Sequence, residues 1–193
     1  MRRRAPRAAR AALRAALACV ALSGCASPRP TPAVSYYTLA VPGAPRAAAP
    51  GPLRVGAFRA DAPYATPRLA TRSSPYRLSY YSFHRWAGSA ESALVTAVRD
   101  YLERAPAAPG GAPLVLEGEL RRLEQGVGPE GPRGSLALKL SVRRAGQAWL
   151  ERSYEESEPA ASESPEEVVA ALSRALGRVL DRLLEDLLRE AAP

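Results

Sequence analysis

Two stretches of this chain alternate so strictly that they dictate its architecture. In "LVLEGELRRLE", Leu114 to Glu124, the residues Leu114, Leu116, Gly118 and Leu120 fall on one face, with Glu117, Glu119 and Arg121 on the other. "SLALKLSV", Ser135 to Val142, repeats the pattern with Leu136, Leu138, Leu140 and Val142. Successive strand side chains point to opposite faces, so this period marks strands of an antiparallel sheet that is dry on one side and wet on the other. The dry side needs a second layer, and the C-terminus supplies one. Ser164-Pro165-Glu166-Glu167 places a hydroxyl at the cap, proline at the first helical position and glutamate at the third, which is a capping box. Val168, Leu172, Ala175, Leu176, Val179, Leu180, Leu183, Leu184, Leu187 and Leu188 then draw a wide apolar stripe that suits a helix laid across a sheet. Its other face is acidic, which disfavours contact with anionic lipid.

The remaining elements fit the same plan. Ser89 caps a helix whose apolar positions are Ala90, Leu94, Ala97, Val98, Tyr101 and Leu102, and "APAAPGGAP" ends it. Tyr36 to Val41 is a short strand candidate, followed by the breaker "PGAPRAAAPGP"; Leu53 to Phe58 alternates as a half-buried strand. Thr71 to Glu91 gathers three tyrosines, Phe83, Trp86, His84 and three arginines, and reads as a hairpin turning at Ser73-Ser74-Pro75-Tyr76 and feeding the first helix. "GVGPEGPRG", Gly126 to Gly134, reads as a loop too rich in glycine and proline to belong to either flanking strand. Arg144 to Gln147 reads as a tighter reversal into "AWLERSY", which completes a three-strand meander. The expected class is α+β: a mainly antiparallel sheet with two helices packed on one side, as a single domain.

The N-terminus lies outside that domain. Arg2, Arg3, Arg4, Arg7, Arg10 and Arg14 precede an apolar run from Ala15 to Leu22, about the length of a signal h-region and far short of the roughly twenty residues that span a bilayer. Leu22-Ser23-Gly24-Cys25 resembles the lipobox of bacterial lipoproteins, in which the cysteine takes a diacylglyceryl group and the chain is cut before it. The expected organisation is a signal peptide over residues 1–24, lipidated Cys25 with a proline-rich tether over 25–34, and a domain over 35–193. Ala26, where an aspartate would resemble an inner-membrane retention signal, points to the outer membrane. Six of the 27 basic residues go with the signal, which leaves 21 against 19 acids, so the charge argument for nucleic acid falls away. With Cys19 removed and Cys25 carrying lipid, no disulfide is expected.

Catalytic signatures are sparse. There is no glycine-rich phosphate loop, nucleophile elbow or histidine pair at ligand spacing, and a lone His84 cannot build a histidine metal cage. Glu117 and Glu119 sit about 7 Å apart on one strand face, within the range of two-carboxylate hydrolases. They read more simply as the wet face of the sheet, opposite cations such as Lys139 or Arg143. His84 brings no partner carboxylate or nucleophile in its local sequence. No catalytic residue, cofactor or metal is expected. Residues 29–85 hold eight arginines and one acid, whereas residues from Glu151 onward hold eleven acids and five arginines. That asymmetry suits an acidic partner, a phospholipid headgroup or the chain's own acidic helix.

Tyr36-Tyr37-Thr38-Leu39 soon after a lipobox, then "VGAFRADAPYATPRLATRSSPYRLSYYSFHRWAGS", resembles the auxiliary lipoproteins of ABC-type transport systems. The shared features are an early "YY-x-L", Pro63-Tyr64, Pro67 with Arg68, Leu69, Thr71-Arg72, then Leu78, Tyr80 and Arg85-Trp86-Ala87. Thr66-Pro67-Arg68 departs from the arginine-before-proline order of that family. The resemblance implies a non-catalytic accessory subunit of an Mce-type intermembrane lipid transport system, anchored on the periplasmic face of the outer membrane. Its implied partners are an MCE-domain protein, phospholipid and other copies of itself. Arg72, Tyr80, Arg85 and Trp86 are its expected partner or lipid surface. The competing expectation is an envelope structural or assembly lipoprotein that binds protein or cell wall without lipid flux.

Overall fold

The computed structural model describes residues 32–109, 111–128 and 131–192. The signal peptide, Cys25 and most of the expected tether lie outside the described residues. Among the described residues, seven strands and two helices run in the order β1 (Ser35–Tyr37), β2 (Leu53–Ala60), β3 (Arg68–Ser74), β4 (Arg77–Trp86), α1 (Ala90–Leu102), β5 (Leu114–Gly128), β6 (Gly131–Arg144), β7 (Gln147–Pro159) and α2 (Pro165–Ala191). The sheet is ordered β1-β4-β3-β5-β6-β7, with β2 joined to β5. This is the expected α+β class, with one refinement of topology. The meander β5-β6-β7 and the hairpin β3-β4 are antiparallel, but β1 on β4 and both β2 and β3 on β5 are parallel.

The core forms where the alternation places it. Leu114, Leu116 and Leu120 of β5 and Leu136, Leu138, Leu140 and Val142 of β6 are buried in one cluster with Leu94, Val98, Leu176, Val179, Leu180 and Leu183 of the helices. Burying each such side chain contributes about 1.5–3 kcal/mol. All six apolar positions expected on α1 are buried. Every stripe residue of α2 is buried except Leu188, 41% exposed in the last turns. Both caps form: Ser89 Oγ accepts from Ser92 N at 3.0 Å, and Ser164 Oγ from Glu167 N at 3.3 Å.

Three local expectations need correction. Gly126 to Gly134 is mostly strand, because β5 and β6 keep pairing up to Gly128 and Gly131. Backbone pairing along an established ladder outweighs the weak strand preference of glycine. The first strand ends at Tyr37, and residues 38–46 form a strap along α2: Ala40 N donates to Ser173 Oγ at 3.1 Å, Val41 packs over Gly177, and Arg46 N donates to Asp181 Oδ1 at 3.1 Å. Those three anchors are four residues apart on one helix face. The apolar pair Leu39 and Val41 is therefore buried against a helix and not in a sheet. Lys139, finally, lies opposite Glu119 as expected while its ion pair is with Glu151 on β7 at 2.9 Å, but Arg143 lies opposite Val115 and donates to Gly146 O, so it answers neither glutamate. The reversal at Ala145-Gly146 is as expected, both residues having positive φ as a two-residue hairpin turn requires.

Candidate functional site

β2 and β3 lie end to end along one edge of β5, β2 beside Leu114–Leu120 and β3 beside Glu124–Gly126. Between them the chain leaves the sheet over residues 61–67. It turns on the carbonyl of Asp61, which accepts from Tyr64 N at 2.8 Å and Ala65 N at 3.0 Å. Tyr64, buried in the core cluster, anchors the excursion. Tyr64 Oη donates to Glu124 Oε2 at 2.6 Å, and Arg72 Nε donates to Glu124 Oε1 at 2.6 Å. Arg72 Nη2 closes the ring on Tyr64 Oη at 3.2 Å. Glu124 is only 2% exposed, and both its oxygens are engaged. A carboxylate at that depth is tolerable because it is paired and hydrogen-bonded.

The electrostatics follow from this geometry. Burial first, and the bond to Glu124 second, push the Tyr64 phenol up to about 12, with Arg72 opposing. The Arg72 guanidinium is raised further by its bonds to Glu124 and Tyr64, against a smaller lowering by burial. At neutral pH the cluster is a neutral donor and a cation converging on one acidic side chain. Tyr80 Oη donates to Pro63 O at 2.7 Å and so pins the same excursion from β4. Arg121 pairs with Asp61 at 3.4 Å and with Glu119. Asp61, Pro63, Arg72, Arg121, Arg122 and Ser135 border an open groove of about 850 Å³ above the cluster. Its walls mix charged side chains with the apolar surfaces of Pro63, Pro75 and Val127.

The four expected surface residues do not form one site. Arg72 and Tyr80 meet around the excursion, whereas Arg85 and Trp86 sit at the other end of β4 and face opposite sides. Trp86 is 2% exposed within the core, so its expected place on a partner surface is corrected: strand alternation turns it under the helices. Arg85 stays half-buried, with its Nε out of solvent and without a hydrogen-bond partner. Cys25 lies outside the described residues. His84 is held by Tyr37 Oη at its Nδ1, 2.9 Å away, and by the edge of Tyr81, with ring centroids 5.3 Å apart. Glu124 escaped the sequence reading because a bulge between Leu120 and Arg122 resets the alternation. The one available signal was an acid at the end of an alternating run whose phase had slipped at Arg121-Arg122.

Charge is distributed unevenly across the fold. The acids from Glu151 onward are satisfied largely by neighbouring arginines, Glu158 by Arg178, Glu156 by Arg182, and Asp186 by Arg152 and Arg189. Among the described residues, one pair, Arg46 with Asp181, reaches the acidic helix from the arginine-rich half. Arg54, Arg59, Arg68, Arg77 and Arg85 form no ion pair among the described residues. No helix among the described residues is long and apolar enough to cross a membrane, and no group of three metal-ligating side chains occurs among them.

Comparison with known proteins gives the frame for these features. The family model described as ABC-type transport auxiliary lipoprotein component matches residues 37–183. Among curated proteins, none matches this chain. The crystal structure of protein XCC0632 from Xanthomonas campestris is 23% identical, covers 80% of this chain and 95% of its own, and superposes with a TM-score of 0.65. That of an uncharacterized protein, 13% identical, covers 81% and 99% with a TM-score of 0.64. Both share the fold.

Proposed function

Since this chain belongs to the ABC-type transport auxiliary lipoprotein component family, we propose that it is a non-catalytic docking and lipid-handover subunit of an Mce-type transport system, held by Cys25 on the periplasmic face of the outer membrane. The observation that carries this reading is the extent of the match: residues 37–183 take in nearly all of the compact unit that residues 34–193 form. Membership makes it an envelope-associated component of a transport system, and the finer assignment rests on the motif residues. Tyr64 and Arg72 spend their polar groups on locking the excursion that walls the groove. Such a locked concavity, with charged groups on part of its wall, supports binding a partner chain or a headgroup in preference to turnover. An MCE-domain protein is the partner that this role requires, and several copies around one conduit would multiply the contact.

The test is capture of the full lipidated chain from cell envelopes, with mass spectrometry of proteins and lipids. The expected result is co-purification of an MCE-domain protein with its ATPase and permease, and loss of lipid exchange between membranes when the chain is deleted. Recovery of cell-wall or assembly proteins alone, with lipid exchange intact in the deletion, would sink this reading in favour of a structural lipoprotein. Labelling by a radioactive fatty acid that survives Cys25→Ser would overturn the anchor.

A further inference from the structure

We propose that Arg68 and Arg85 form a binding site for a phosphate group, and that the phosphate is that of a phospholipid headgroup in the anchoring membrane. The two arginines are register partners at the end of the β3-β4 ladder, beyond an irregularity between Arg68 and Ala70. Side chains at directly opposed antiparallel positions share one face with Cβ atoms about 4.5–5.5 Å apart, where like charges repel. Neither arginine forms an ion pair among the described residues, and the buried Nε of Arg85 makes no hydrogen bond. A buried donor on a cation without an acceptor is costly, so this arrangement is short of one ingredient: an anion. A phosphate supplies it, since two guanidinium forks match its oxygens and its charge cancels their repulsion.

The placement selects the source. On the other side of β4 the register partner of Arg85 is Tyr36, largely exposed at 64%. Tyr36 follows Cys25 by eleven residues, a length that reaches at most about 40 Å when fully extended. That length lets the pair approach headgroups of the membrane that carries the anchor. Alternation sets half-buried Arg85 and fully buried Trp86 on opposite faces, so one dipeptide serves both the site and the core. The phosphate site stands on the arginine geometry, while its membrane source rests on the lipoprotein reading proposed for the chain.

The experiment is thermal unfolding of the lipidated full chain in detergent, in phosphate-free buffer. Inorganic phosphate or short-chain phosphatidylglycerol is added, with sodium chloride at matched ionic strength as control. Wild type is expected to gain several degrees in Tm with either ligand, and more with the lipid, because a ligand that binds only the folded state stabilises it. Arg68→Gln is expected to raise the ligand-free Tm by relieving the opposed charge and to lose the ligand-induced gain. Arg85→Lys, which keeps charge but not the fork, should lose most of the gain. A ligand response no larger than that of salt, or one retained in Arg68→Gln, would overturn the site. A response to inorganic phosphate alone would overturn the headgroup source. Arg68 is exposed, so its variant carries the test even where changes at Arg85 impair folding. Capture of transporter proteins is scored separately, so each reading fails on its own measurement.

Discussion

Glu124 is where residue chemistry and chain topology meet. It sits on β5, yet its partners come from an excursion and a hairpin far from it in sequence, Tyr64 and Arg72. Removing one member of a buried ion pair leaves the other charge uncompensated, which costs about 3–5 kcal/mol when both are fully buried. Arg72 is partly exposed and Arg122 stands 3.9 Å from the same carboxylate, so Arg72→Ala is expected to cost less, about 2–3 kcal/mol, read as a lowered urea midpoint. Glu124→Gln should cost less than Arg72→Ala, since it removes the charge along with the partner. Tyr64 gives a pH signature. Its phenol titrates near 10 in the unfolded chain and about 12 in the fold, so between those values the unfolded state binds fewer protons and stability falls as pH rises. Below pH 10 this group contributes no slope. Tyr101 and Tyr154, bonded to Asp181 and Asp186 and raised first by burial, add to the same alkaline loss. Tyr64→Phe is expected to shallow the fall between pH 10 and 12 by about one proton, measured as urea midpoint against pH.

At the scale of elements, the helices and the meander were legible because their signals are local. A cap, a stripe of period 3.6 and an alternation of period two are properties of neighbouring residues. The strap along α2 was not, since Leu39 and Val41 alternate as a strand does and only the helix beneath them distinguishes the two outcomes. Gly177 is what lets the strap lie flat: a Cβ there would stand 2.9 Å from Val41 Cγ1. Gly177→Val is therefore expected to lift the strap from α2 while the helix remains, the branched side chain having acceptable helical propensity. Hydrogen exchange should show lost protection at the amides of Ala40 and Arg46, which bond to Ser173 and Asp181. Unchanged protection at both would contradict the strap's dependence on that close approach.

Across the whole molecule, one core joins both helices to the sheet, and Asp181 ties α2, α1 and the strap together through Tyr101 and Arg46. A unit so connected should unfold as one, so calorimetric and van't Hoff enthalpies are expected to agree; two resolved transitions would contradict it. What the sequence determined by itself was what near neighbours set: the α+β class, the caps, the dry and wet faces and the family motif. Tertiary structure decided how those pieces meet. Parallel pairing of β2 and β3 with β5, the burial of Trp86 in place of its exposure, the clamp on Glu124 and the opposed Arg68 and Arg85 all depend on strands distant in the chain. Alternation gives each strand its face but not its neighbour, and one bulge at Leu120–Arg122 is enough to reset the phase, so register, and every site built across a register, comes only with the assembled sheet.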